Sequence, residues 1–414
     1  MKSLFTILIF ISITLGVNAR TILVLGDSNG AAENGWVKQL HALCPADTLI
    51  NCSISGNTIG FDNLGNTRLN TLKMLETYMN WVQTAPDAVY VLLGSNDCKA
   101  EFAGREREVS ANYALLLDRL RARFPQARLV TITPPPMGYY SKMEAKYKGG
   151  QQRVEQLVVE IKQISAVRQV TCIDIHTPMK ADYGKLTTDG AHLTTEGYQW
   201  MAKLIHRQLL PQLFVIGDSI SLQYGPWLEQ FVSSAFRYDR KRDDGGKRAE
   251  DDLDTPQGAN GGDSRMVLEY LRRLKAAHRL QADYLLINCG LHDIKTEVSS
   301  GKIQISQEEY RCNLDSIFQE VNGTGVKLVW VRSTPVNEEL HNTKGLAFNR
   351  YSADVEKYNR IADNYFLAKG IPIIDLYHFS KSFPKEATAD HVHYTEEYSR
   401  LQAAFIAGFL LGTK

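Results

Sequence analysis

The 414-residue chain has no excess of charge of either sign: 47 Lys and Arg stand against 46 Asp and Glu, a net charge of +1. A surface built for nucleic acid needs surplus Lys/Arg to displace counterions from phosphates, so the balance removes the electrostatic case for that partner. Cysteine is scarce, and six residues are too few for a disulfide scaffold. Long apolar runs are missing beyond the N-terminus. The tail at residues 395–411 carries Glu396, Glu397 and Arg400, so it reads as an amphipathic core helix and not as a span. What is present is an ordinary globular composition, 44% hydrophobic and 22% charged, which excludes wholesale disorder. The length suits two domains of about 200 residues better than one.

Lys2, an almost unbroken apolar run from Leu4 to Leu15, and then Val17-Asn18-Ala19 have the build of a secretory signal peptide cut after Ala19. The alternative, an N-terminal anchor helix, is disfavoured because the run falls short of the ~20 residues a bilayer requires. No Cys follows the run to carry a lipid. The mature protein is expected to be soluble and exported, secreted or periplasmic, where disulfides can form. Cys172 and Cys289 sit inside apolar strand-like runs and read as free buried thiols. One pair among Cys44, Cys52 and Cys98 could be bridged; the pairing is not readable from sequence.

The chain repeats itself once. TILVLG at 21–26 and QLFVIG at 212–217 are apolar runs that each lead into Asp-Ser and a helical pattern. AVYVLL at 88–93 matches DYLLIN at 283–288, RLVTIT at 128–133 matches KLVWVR at 327–332, and VTCIDI at 170–175 matches IPIIDL at 371–376. Amphipathic patterns at 69–82, 154–167, 266–280 and 355–367 lie between them. Near-continuous apolar strands alternating with helices predict parallel sheets buried on both faces. Each half is therefore expected to be an α/β three-layer sandwich of about five strands, with signal peptide 1–19, first domain 20–210 and second domain 211–414. With almost no linker at Leu209-Leu210-Pro211, the two are expected to pack closely. Residues 237–254 hold six basic and seven acidic residues and read as a solvated loop, or else as a rim over the second site.

Ser28 follows a buried strand and precedes a helix, at the carboxyl end of a sheet strand, where α/β proteins bind ligands. Taken alone, such a Ser is a helix cap, and Gly262-Asp263-Ser264 shows that the tripeptide also occurs without an apolar strand before it. Gly26-Asp27-Ser28-Asn29-Gly30 also fits a nucleophile elbow, but it would sit on the first mature strand, and its counterpart at 217–221 lacks the closing Gly. A Ser nucleophile needs a base and an orienting carboxylate. Asp189-Gly190-Ala191-His192 and Asp390-His391-Val392-His393 each place an Asp three residues before a His, after a fifth strand and before a last helix, so that one short turn delivers both side chains. For an oxyanion, Gly56 in Ser55-Gly56-Asn57-Thr58 offers an unobstructed N–H, Asn96 in Gly94-Ser95-Asn96-Asp97 a side-chain amide, and Ser28 its own N–H.

These four blocks, in this order, resemble the SGNH, or GDSL, family of serine hydrolases over residues 21–210. The resemblance implies a flavodoxin-like three-layer sandwich and Ser28 as nucleophile. It implies His192 as base, Asp189 as its orienting partner, and Gly56 and Asn96 as oxyanion donors. It also implies hydrolysis of esters and some thioesters without metal or cofactor. Residues 212–412 resemble the same family, with Ser219, Asp390 and His393 as the triad and Gly262 in the glycine block. The third block departs: Gly290-Leu291-His292-Asp293 has His292 where Asn is expected. A neutral His can still donate one N–H, but its reach differs, so the second unit is expected to be either an active site or a binding domain that kept its pocket.

No long apolar loop suggests a lid, and Trp36, Phe61, Tyr139, Tyr140, Trp227 and Tyr224 are candidates to stack on sugar rings, although Trp36 and Trp227 lie on apolar helix faces. The expected substrate is an O-acylated, above all O-acetylated, saccharide. Lipid, aryl-ester or thioester hydrolysis is the alternative within the family, and a carbohydrate-binding protein the alternative outside it. Neither nucleic acid nor a membrane span is expected, and the oligomeric state is not readable.

Overall fold

A computed structural model describes residues 19–82, 84–138, 145–242, 253, 255–277, 279–280 and 282–412. The apolar N-terminal run, Tyr139, Tyr140 and most of the charge-rich segment after Arg242 lie outside the described residues. The chain divides into two units, Asn18–Leu209 and Leu210–Lys414.

In the first unit, β1 (Thr21–Gly26), β2 (Thr48–Asn51), β3 (Ala88–Leu92), β4 (Arg128–Ile132) and β5 (Thr171–Ile173) form one sheet in the order β2-β1-β3-β4-β5. Every pair is parallel. Alternation along the central strands feeds two cores. Leu23, Leu25, Val89 and Val91 face Leu75, Leu116 and Val154 of the helices Thr71–Asn80, Glu106–Arg123 and Gly150–Val167. Ile22, Val24, Tyr90 and Leu92 face Trp36, Leu40 and Met201 of the helices Trp36–Leu43 and Thr195–Leu209. Side chains of successive strand residues point to opposite faces, so a continuously apolar strand must be covered on both.

The second unit repeats the plan. Strands β6 (Gln212–Ile216), β7 (Arg237–Arg240) and β8 (Tyr284–Ile287) precede a short β9 (Thr296–Glu297). Then come β10 (Lys327–Val331), a short β11 (Phe348–Asn349) and β12 (Ile373–Ile374). The sheet order is β12-β10-β8-β6-β7, and β9 and β11 form a separate antiparallel ribbon. In strand-order terms both sheets follow the flavodoxin-like 2-1-3-4-5 arrangement, which opens a crevice at the carboxyl ends of the first and third strands. Gly26 lies level with Leu92 on β3, and Ile216 with Ile287 on β8, so the loops after these strands emerge side by side.

The structure corrects two expectations. Residues 237–240, read from sequence as part of a loop, are the edge strand β7. An edge strand is half solvated, so its charged residues are tolerated, and Arg237 and Arg240 donate inward to the carbonyls of Leu210 and Ser221 at 3.0 and 2.7 Å. All six cysteines carry free thiols, so no pair among Cys44, Cys52 and Cys98 is bridged. Among the described residues, no helix is long and apolar enough to cross a membrane.

Candidate active sites

The Gly-Asp-Ser turn is built by its aspartate. Asp27 is fully buried and its Oδ1 accepts the Asn29 N–H at 3.0 Å, capping the single helical turn Ser28–Ala31. Asp218 does the same with the Ile220 N–H at 3.0 Å for the helix Ser219–Val232. Burial raises both carboxyls, Asp218 to about 6. The serine thus stands at the first helical position, where its own N–H has no partner within the helix. Gly26 and Gly30 are needed because a Cβ on either would lie 2.5 or 2.4 Å from Ser53 Oγ, so the turn is pressed against the segment after β2.

In the first unit His192 Nε2 lies 3.0 Å from Ser28 Oγ, and His192 Nδ1 lies 2.7 Å from Asp189 Oδ2. The other oxygen of Asp189 accepts the N–H groups of Ala191 and His192 at 2.9 and 2.7 Å. Partial burial pushes the Asp189 carboxyl up, but the His192 ring and these two N–H groups outweigh it and hold it below the ordinary value. The second unit matches closely: His393 Nε2 to Ser219 Oγ is 2.9 Å and His393 Nδ1 to Asp390 Oδ2 is 2.7 Å. Asp390 Oδ1 accepts from Val392 and His393, both at 2.8 Å, and its carboxyl is likewise held low against the effect of burial.

The loops that carry Gly56 and Asn96 are tied to the same turn. Asn57 Nδ2 donates to Gly26 O at 3.2 Å, and Asn96 Nδ2 donates to Asn57 O at 3.0 Å. Asp97, buried beside it, accepts the Ile59 N–H at 3.0 Å. Gly56 has φ +86°, and among the described residues its N–H donates to no acceptor.

The sequence profile of the GDSL-like lipase/acylhydrolase family matches residues 12–200 and again 215–401. The chain belongs to this family. It is a carboxylic ester hydrolase, and each unit carries one copy of the family's domain. No curated protein matches the acylhydrolase in sequence. Similar solved structures include a carbohydrate acetylesterase from Sinorhizobium meliloti at 20% identity, covering 45% of this chain and 96% of its own, with a TM-score of 0.39. An aryl esterase from M. smegmatis is also 20% identical, covering 46% and 100%, with a TM-score of 0.38. A lipase/acylhydrolase from Enterococcus faecalis is 22% identical, covering 45% and 93%, with a TM-score of 0.34. At such identities nothing about substrate transfers from them.

The acylhydrolase's two candidate sites differ around equal Ser–His–Asp contact chains. His192 and Asp189 side chains are 40% and 51% exposed, whereas those of His393 and Asp390 are 3% and 31% exposed. His292 stands at the end of β8 as Asn96 does at the end of β3, and it is buried. Burial first, then the charges of Lys295 and Arg350, hold its imidazole neutral, and among the described residues its Nδ1 has no hydrogen-bond partner. Gly262 adopts φ +70°, comparable to Gly56, but its N–H donates to Asn260 Oδ1 at 3.0 Å. The donor expected there is therefore engaged within its own loop. Sequence reading missed Asn260 for that reason, since nothing in the motif specifies where a neighbouring amide points. It also missed Asn63 and Lys99, although a lysine recurs three residues after Asn96 and after His292, as Lys99 and Lys295. Of the aromatic candidates, Trp36, Phe61 and Tyr224 are core residues; Phe61 stacks on Phe102 at 4.5 Å. Trp227 lies half-buried beneath the Arg400 guanidinium at 5.0 Å. Tyr139 and Tyr140 lie outside the described residues.

Proposed function

We propose that this acylhydrolase is an exported serine esterase that removes O-acetyl groups from carbohydrates, with the first unit carrying most of the turnover. The observation behind this reading is the contact chain Ser28–His192–Asp189, repeated to within about 0.1 Å as Ser219–His393–Asp390. His192 Nε2 takes the Ser28 proton as Oγ attacks the ester carbonyl, and Asp189 holds the ring in the tautomer that leaves Nε2 free to accept. The oxyanion is received by the N–H groups of Ser28 and Gly56 and by the Asn96 amide. Protonated His192 then gives its proton to the departing alcohol, leaving an acetyl ester on Ser28. Water, deprotonated by the same ring, attacks that ester and releases acetate.

The surroundings of Ser28 favour a polar alcohol. The His192 and Asp189 side chains are open to water, and the exposed Thr188 hydroxyl beside them donates to the His192 carbonyl at 3.2 Å. One observation favours the alternative, a lipid or aryl ester. Leu64, next to Asn63 on the loop that touches Gly56, is 78% exposed, an apolar side chain available to an acyl or aryl group. Acetate release from a panel of acetylated glycans, compared with aryl acetates and lipid esters, separates the two. The expected result is release from glycans that Ser28→Ala abolishes in a Ser219→Ala background. Glycans left intact while aryl esters or lipids are cut would overturn the carbohydrate reading, and full activity in the double variant would overturn the serine mechanism.

A further inference from the structure

A donor N–H on a glycine is only as well placed as the glycine's backbone, and Gly56 has no side chain to hold it. Glycine populates φ > 0 as readily as φ < 0, so something outside the residue must fix its torsions. Asn63, fully buried, donates from Nδ2 to the Gly56 carbonyl at 2.6 Å, and its Oδ1 accepts from Lys99 Nζ at 2.9 Å. Lys99 is itself only 6% exposed. Bringing an ammonium this far inside costs solvation that packing alone does not return. The loop that presents Asn63 is braced by Asp62, which accepts from Lys73 and Asn70, both at 2.8 Å. The grip also reaches the neighbouring donor, because the next residue, Asn57, offers its carbonyl to Asn96 Nδ2.

The second unit supplies an internal control. There too a fully buried asparagine contacts the glycine loop, but with the opposite polarity: Asn260 Oδ1 accepts the Gly262 N–H. An amide beside this loop can therefore occupy the glycine donor or hold the glycine by its carbonyl and leave the donor open. In the first unit it does the latter.

We infer that Asn63, oriented by Lys99, is a positioning residue that sets the Gly56 peptide for oxyanion binding at Ser28. The inference rests on the proposed serine esterase mechanism of the first unit. Asn63→Asp is the discriminating variant. It is nearly isosteric and keeps an acceptor for Lys99, but as a carboxylate it cannot donate to Gly56 O. In a Ser219→Ala background with an aryl acetate, Asn63→Asp should lower kcat roughly 10- to 100-fold, short of the ~10²–10³ for outright loss of an oxyanion donor. KM should stay within about twofold. Lys99→Met should act in the same direction but less. Affinity for phenylboronic acid, which adds to the serine oxygen as a tetrahedral adduct, should fall in step with kcat, whereas a purely structural role would leave both unchanged at temperatures where the variant is folded. Unchanged kcat and boronate affinity in Asn63→Asp would overturn the inference. Retention of turnover by Ser28→Ala in the same background would instead overturn the mechanism beneath it.

Discussion

Asp189 uses both carboxylate oxygens, one on the His192 ring and one on two backbone N–H groups of its own turn. That is the physical content of the three-residue spacing between Asp and His, and it was legible in the sequence because one tight turn both shapes the loop and aims the imidazole. Asp189→Asn should leave the fold intact but favour the wrong tautomer. Turnover by the first unit is expected to fall roughly 10³–10⁴-fold, measured as kcat on an aryl acetate in the Ser219→Ala background. A loss below tenfold would contradict the role. The state of the glycine donors was not legible. Gly56 and Gly262 look alike as letters, and their difference lies in which end of a neighbouring amide faces them.

At the scale of elements, the inner strands β1, β3, β4, β6, β8 and β10 were readable because burial on both faces leaves an uninterrupted hydrophobic signature, and the edge strands β5 and β12 through the short apolar runs VTCIDI and IPIIDL that hold them. The strands β2 and β7, each at one edge of its sheet, were not: β2 is four residues with polar ends and β7 is Arg-Tyr-Asp-Arg, so neither presents an apolar run. Two element-level contacts lead to predictions. Asp263 caps the helix Ser264–Ala276 by accepting the Met266 N–H at 3.1 Å. Asp263→Ala should cost about 1 kcal/mol, read as a lowered unfolding midpoint in urea with an unchanged m-value. Asp97 and Asp293 tie the ends of β3 and β8 to the Ile59 and Ser264 N–H groups, and burial raises each carboxyl to about 7. A carboxyl raised in the folded state stabilises it fully below the unfolded value near 4, and that contribution is lost as pH climbs through 7. Asp97→Asn, which cannot ionise, should therefore gain in Tm relative to the parent between pH 5 and pH 8. A pH-independent difference would show that the Asp97 carboxyl is not raised.

At the scale of the whole molecule, the chain carries two copies of one domain with equal Ser–His–Asp contact chains and unequal exposure. Ser219 is 5% exposed and the His393 side chain 3%, against 40% for His192. An ester on a polymer must bring its chain to the nucleophile, so turnover of acetylated polysaccharide should vanish in Ser28→Ala and persist in Ser219→Ala. Equal losses in the two variants would show that both sites admit the polymer. The departure at His292 was visible in the sequence, but its burial was not, because burial is set by segments distant in the chain, such as that of Arg350, whose Nε donates to the Leu291 carbonyl at 2.8 Å.

The central claim is that the His192 ring activates Ser28 in the folded enzyme. Peptide mapping by mass spectrometry after treatment with a fluorophosphonate tests it most directly. The account predicts an adduct on the peptide containing Ser28 that forms rapidly in the parent protein and is nearly absent in a folded His192→Ala variant. A Ser28 peptide that stays unmodified in the parent, or is modified equally fast without the imidazole, would contradict it.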